Sequence, residues 1–145
     1  MRSSGVWTYG IVNLCHILGI AMLFGSVLAL DLRLLGVWRS VPLAALSRPL
    51  VTLAGIGFCL AAVSGVAMLT TKAVDYVANP FLFIKFPAIG LALANVILLH
   101  RSRAWRAHRK RELEPDEQRR LAKGAALSLV FWLTAITCGR MIAYW

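Results

Sequence analysis

The run from His16 to Gly36, HILGIAMLFGSVLALDLRLLG, carries no charge between its histidine and Asp31. A stretch this apolar has few ways to fold. As a helix it is long enough to cross about 30 Å of hydrocarbon. Helices and closed barrels are the structures that leave no backbone group unsatisfied in that medium. Three further segments share its length and character, placing four spans near 8–31, 50–71, 80–100 and 124–145. The expected fold is therefore all-α, an integral membrane four-helix transmembrane bundle forming a single domain over residues 1–145. Composition agrees, because 15% of the residues are charged, where a soluble domain carries about a quarter. The first run is too long for a cleavable signal peptide and lacks a clear small-residue cleavage site, so it is expected to stay as the first span.

The formal net charge of +10 raises the question of nucleic acid. Its distribution answers otherwise. Nine of the sixteen basic residues lie between Arg101 and Lys123, directly against a span. That is the signature of a cytoplasmic loop, with the lipid bilayer and its headgroups as partner and no nucleic acid. The loop after the first span adds Arg33, Arg39 and Arg48, whereas the turn between the second and third spans holds Lys72 alone. Both termini are thus expected outside, which is periplasmic for a bacterial inner membrane protein. Trp7, Tyr9, Tyr76, Tyr144 and Trp145 suit headgroup-level anchors on that side.

Local signals refine the spans. Gly57, Ala61 and Gly65 give the second span a stripe of small residues at four-residue spacing, which lets membrane helices approach closely. Asn79-Pro80 reads as a cap followed by a proline at the first helical position. The third helix is expected to run past the membrane surface until Glu114-Pro115 breaks it. Asp116 and Glu117 then favour the first turn of a new helix that enters the fourth span. Pro42 and Pro49 place residues 33–49 in a basic loop with a short interfacial helical piece. Asn95, mid-span, is expected to bond across to a neighbouring helix, and His108 to be solvated. Cys15, Cys59 and Cys138 all fall within spans and read as apolar thiols.

The first and third spans run in one direction, and each carries two polar groups fifteen residues apart: His16 and Asp31, then Lys85 and His100. Fifteen residues of helix rise roughly 22 Å. The pairs therefore form two tiers. The outer tier gathers His16, Lys85 and Arg140, with Tyr76 and Asn79 above it and Met141 beside Arg140. Two cations with few acidic residues in reach need an anion, which Asp75, a lipid phosphate, haem propionates or a carboxylate or quinone-like ligand would supply. The inner tier holds Asp31 and His100, with Arg33 and Arg48 nearby, and is expected to be a structural polar pair.

Taken together, His16-x2-Gly19, Gly25, Asp31-Leu-Arg-Leu-Leu-Gly36, Tyr76-x2-Asn79-Pro80-Phe81-x3-Lys85 and Asn95-x4-His100 resemble an uncharacterised family of small bacterial four-helix inner-membrane proteins. The likeness covers residues 13–100. Many members of that family carry an acidic residue three before the histidine, where this chain has Asn13. The layout is more distantly similar to the copper-resistance D family and to four-helix b-type cytochromes, which hold haem between helices through histidines.

Three functional classes follow. In the first, the chain is a redox protein binding haem b for electron transfer, with His16 as the metal ligand and Lys85 and Arg140 gripping the propionates. His16 and His100 stand at opposite levels, so a second axial ligand has to be absent, be Met141, or be His16 of a second copy in a homodimer. In the second class it is a carrier or channel subunit for an ion or anionic solute, which requires a homo-oligomer. In the third it is a non-catalytic assembly protein. Copper transport is disfavoured, because soft-metal sites need converging Met and Cys residues and these are scattered.

Overall fold

The structure is a computed structural model and describes residues 3–145. The chain forms α1 (Ser3–Leu35), α2 (Leu43–Thr71), α3 (Ala73–Tyr76), α4 (Pro80–Arg101), α5 (Arg103–Ala107) and α6 (Pro115–Met141), closed by a 3-10 turn over Ile142–Tyr144. Four of these helices are long and apolar enough to cross a membrane, which makes this a multi-pass integral membrane protein. Large apolar side chains such as Leu14, Val63, Phe83, Leu98 and Val130 stand exposed around the bundle, as a lipid-facing surface requires.

The termini of the helices follow local chemistry. Asn79 is extended, and its side-chain oxygen accepts from the Phe81 amide at 3.0 Å, with Pro80 behind it. Its own amide reaches Ile142 O at 3.4 Å and ties the start of α4 to the end of α6. Gly36 (φ 110°) ends α1 in a Schellman arrangement, in which Val37 N bonds to Leu32 O and Gly36 N to Arg33 O. At α6 the Glu114 amide donates to the Glu117 carboxylate at 3.0 Å, half of a reciprocal cap before Pro115.

Two boundaries differ from expectation. The third helix does not run on to Glu114. It stops at Ser102, whose extended backbone and hydroxyl, accepting from Trp105 N at 3.1 Å, start the short α5. Near its other end, α2 begins at Leu43 and reads through Pro49. The proline deprives the Ala45 carbonyl of its helical donor, and the helix continues past it.

Packing is uneven. The α1 and α2 backbones approach most closely, and α6 packs against both α1 and α4. The backbones of α2 and α4 stand further apart, and their side chains meet through the shared core clusters. Contact between α1 and α2 rests on glycine. A Cβ at Gly19 would stand 2.5 Å from Ala61 N, and one at Gly57 would stand 2.5 Å from Leu23 N. The small-residue stripe read from the second span is therefore a backbone-to-backbone contact, completed by a glycine of α1.

Large apolar side chains fill only part of the interior. One cluster, built on Leu30, Leu34, Leu43, Trp105 and Leu121, lies at the end that carries the basic loop. A second, with Leu23, Ala92 and Trp132, lies mid-bundle, where Phe58 meets Trp132 edge-on at 6.5 Å. Towards the other end the buried residues are small: Ala61, Ser64, Ala88, Ala135 and Cys138. We call these the basic end and the terminal end.

Candidate functional site: a tethered histidine at the terminal end

His16 lies one turn before Gly19, so the close approach at Gly19 brings its ring against α2. Nδ1 is 2.9 Å from Ala61 O and 3.1 Å from Ser64 Oγ. The Ser64 hydroxyl donates to Leu60 O, so it meets the imidazole as an acceptor. A carbonyl and an oxygen lone pair at the same nitrogen mean that Nδ1 carries the hydrogen. Nε2 therefore keeps its lone pair and, among the described residues, has no hydrogen-bond partner. Gly65 makes the arrangement fit, because a Cβ there would stand 3.0 Å from Cε1. A backbone carbonyl that fixes the tautomer and orients the ring is how metal-binding histidines are prepared.

Lys85 reaches the same level from α4. It is half-buried and extends across α6, with Nζ 3.3 Å from the position a Cβ at Gly139 would take. No carboxylate meets it, since the single ion pair among the described residues is Arg111–Glu117. Asp75, the nearest candidate counter-charge in sequence, is exposed on α3 and forms no such pair.

The rest of the expected outer tier disperses. Arg140 is exposed and turns along its own helix, donating to Tyr144 Oη at 2.6 Å and covering that ring at 4.9 Å. A residue four positions ahead is its natural neighbour, and that local contact prevails over one across the bundle. Met141 is also exposed, at 41%. Tyr76 is half-buried against Tyr9, and burial and that neighbour push its hydroxyl pKa up. Lys72 covers the other ring of this pair, 5.2 Å from the Tyr9 centroid. These residues form a rim at the bundle mouth. Of the set, Asn79 is the most buried and serves the cap of α4, while His16 and Lys85 are half-buried, the first against α2 and the second against α6.

At the basic end the expected pairing of Asp31 with Arg33, Arg48 or His100 does not form. Asp31 is buried at 3% exposure and looks towards Ser128 of α6. Arg33 instead donates to Val41 O at 2.8 Å, and His100 Nδ1 lies 2.8 Å from Val96 O. Asp31 sits on the bundle side of α1 whereas Arg33, two residues on, follows the chain into the loop. Asp31 Oδ2, Ser26 Oγ and Trp132 Nε1 are buried without hydrogen-bond partners among the described residues. Each such group costs about 1–3 kcal/mol. Asn95 does bond across, its amide reaching Gly124 O at 2.9 Å.

His108 is not solvated. It is buried, its Nε2 3.0 Å from the Ser47 hydroxyl and its Nδ1 against Trp105 O. The Trp105 ring stands between two imidazoles, with centroids 4.5 Å from His100 and 4.5 Å from His108. Burial lowers the His108 pKa below its ordinary value. The spacing Trp105-x2-His108 is the sequence signal for this stack, but Ser102 had to be recognised as a helix start before it could be used.

Comparison with protein-family models, with characterised proteins and with solved structures returns no match. The fold and these side chains define a class, a multi-pass membrane protein with a tautomer-fixed histidine inside its bundle. Function has to be argued from that site.

Proposed function

We propose that this membrane protein binds haem b at the level of His16, whose Nε2 would hold the iron. One observation carries the reading: Nδ1 is committed to Ala61 O and Ser64 Oγ, which leaves Nε2 free to ligate. Two features of the site support it: apart from Asn79 the buried residues at this level are small, and Lys85 offers an ammonium with no carboxylate of its own for a propionate. Arg140 and Met141 are not part of the fit, because the first is held by Tyr144 and the second is exposed.

Bound iron would supply a one-electron couple, whose potential follows from ligand identity and burial. The chain's own part is to present a neutral imidazole, to orient it through α2 and to place one cation beside it. His100 and His108 lie at the basic end, so a protomer offers one histidine at this level. A second histidine for the group would come from His16 of another copy in a homodimer. The orientation read from the loop charges, termini outside and basic end in the cytoplasm of a bacterial inner membrane, belongs to the same proposal. So does the resemblance to the uncharacterised four-helix family.

The test is the absorption spectrum of the protein purified in detergent from haem-sufficient cells. A Soret band that disappears in His16→Ala and is retained in Arg140→Gln is the expected result. A colourless protein, or a band indifferent to His16, refutes it.

A second reading, a carrier of protons or small ions, is favoured by the orphaned Asp31 Oδ2, Ser26 Oγ and Trp132 Nε1 within the bundle. It requires Asp31-dependent flux in proteoliposomes. Flux unchanged by Asp31→Asn removes it.

A further inference from the structure

A large concavity lies at the other end of the molecule from His16. A groove of about 910 Å³ opens at the basic end between the α1–α2 loop, the segment after α5 and the first turns of α6. Six cations line it: Arg33, Arg39, Arg109, Lys110, Arg111 and Arg119. Glu112 is the one acidic side chain in its wall, and Glu117 neutralises Arg111 through two contacts of 2.7 and 2.9 Å. Four more cations than carboxylates remain. Like charges gathered along one groove repel one another and make it a favourable place for an anion.

The wall is shaped. Gly36, at φ 110°, passes beneath the Arg39 guanidinium, and a Cβ there would stand 2.9 Å from Nη2. Arg33 Nε is anchored on Val41 O, which holds the root of that side chain at the groove edge. Beside the groove, Leu35, Val37 and Trp38 are 41%, 41% and 52% exposed. Leu35 closes the α1 span, so these apolar side chains lie at the membrane boundary. A soluble anion has no use for them. An acyl chain does.

We propose that this groove is a binding site for the headgroup of an anionic phospholipid. Its phosphate is held by Arg39, Arg109 and Arg119, and its acyl chains follow Leu35, Val37 and Trp38. Guanidinium groups suit this task because they meet phosphate oxygens through paired N–H donors. Basic pockets between membrane helices are a known kind of headgroup site. The site is independent of the histidine site at the terminal end.

The test measures thermal unfolding of the detergent-purified protein with added phosphatidylglycerol, phosphatidylcholine, glycerol phosphate or ATP. Phosphatidylglycerol is expected to raise the midpoint saturably, and phosphatidylcholine to leave it unchanged. The variant Arg39→Gln/Arg109→Gln/Arg119→Gln is expected to weaken the phosphatidylglycerol effect by at least about tenfold in half-saturating concentration, through lost charge-assisted contacts. A control of equal charge loss outside the groove, Arg101→Gln/Arg103→Gln/Arg120→Gln, is expected to retain it. Equal losses in both variants mean diffuse surface charge and overturn the site. Stabilisation by glycerol phosphate or ATP as strong as by phosphatidylglycerol assigns the groove to a soluble anion and also overturns it. Native mass spectrometry of the wild-type chain gives a reading that does not depend on the variants folding. One retained anionic phospholipid per chain is expected, and retention in proportion to bulk lipid contradicts the proposal.

Discussion

The two ends of this bundle solve the burial of polar groups differently. At the basic end most polar side chains are spent on structure, with Asp31 Oδ2 the buried exception. Trp105 stacks between His100 and His108, His108 is held by Ser47, and Asn95 joins α4 to α6. Bulky side chains fill the space around them. At the terminal end the interior is lined mostly by small residues, and the imidazole of His16 is only half used. A histidine with both nitrogens occupied is a strut. One with a free, oriented nitrogen can receive something.

The largest effect should come from the contact that positions His16. Gly19→Ala drives a methyl into the backbone of Ala61 and Gly57, at 2.5 and 2.9 Å, where no flexible side chain can yield. The expected loss is about 1–3 kcal/mol or more, as for overpacked interiors. Any ligand at His16 should be lost with it. Gly25→Ala, where nothing lies within 4 Å, is the matched control and should change stability by no more than a few tenths of a kcal/mol. Equal effects in the two variants would dissolve the distinction between α1–α2 and the rest of the bundle.

Asp31→Asn comes next. A buried carboxylate without a cation carries a desolvation cost that the amide avoids. The substitution should therefore raise the unfolding midpoint, by about 1–3 kcal/mol of stability. Breaking a buried ion pair would instead cost about 3–5 kcal/mol. Denaturation in mild detergent separates the two outcomes by sign.

The stack at the basic end should make stability depend on pH. Burial lowers the His108 pKa, so the folded chain binds fewer protons than the unfolded chain below the ordinary histidine value of about 6.5. Stability should be insensitive to this group above that pH, fall as acid is added through it, and level off below the folded value. His108→Gln should flatten that part of the profile. A profile unaltered by the substitution would return His108 to the solvent.

Asn95→Ala should have the smallest effect, about 0.6–2 kcal/mol for one interhelical bond in a membrane. Its bond to Gly124 O lies in the well-filled half, so it should leave His16 and its ligand undisturbed.

Much of this was legible in the residues themselves. Four apolar runs impose four spanning helices, because the bilayer leaves the backbone no other partner. Asn79-Pro80 and Glu114-Pro115 mark helix starts that the structure keeps, since caps depend on neighbours a few residues away. The break at Ser102 is just as local, but a continuing run of helix-forming residues hid it. Partners of the polar side chains were another matter. The fifteen-residue spacing puts His16 and Lys85 on the right turns, but a level is not a direction. Which way Arg140 turns, whether Asp31 meets Arg33 or Ser128, and which nitrogen of His16 is left free depend on the rotation of each helix about its axis. For α1 and α2 that rotation is fixed where their backbones fit at Gly19 and Gly57, a contact between residues thirty-eight apart that only the folded chain brings together.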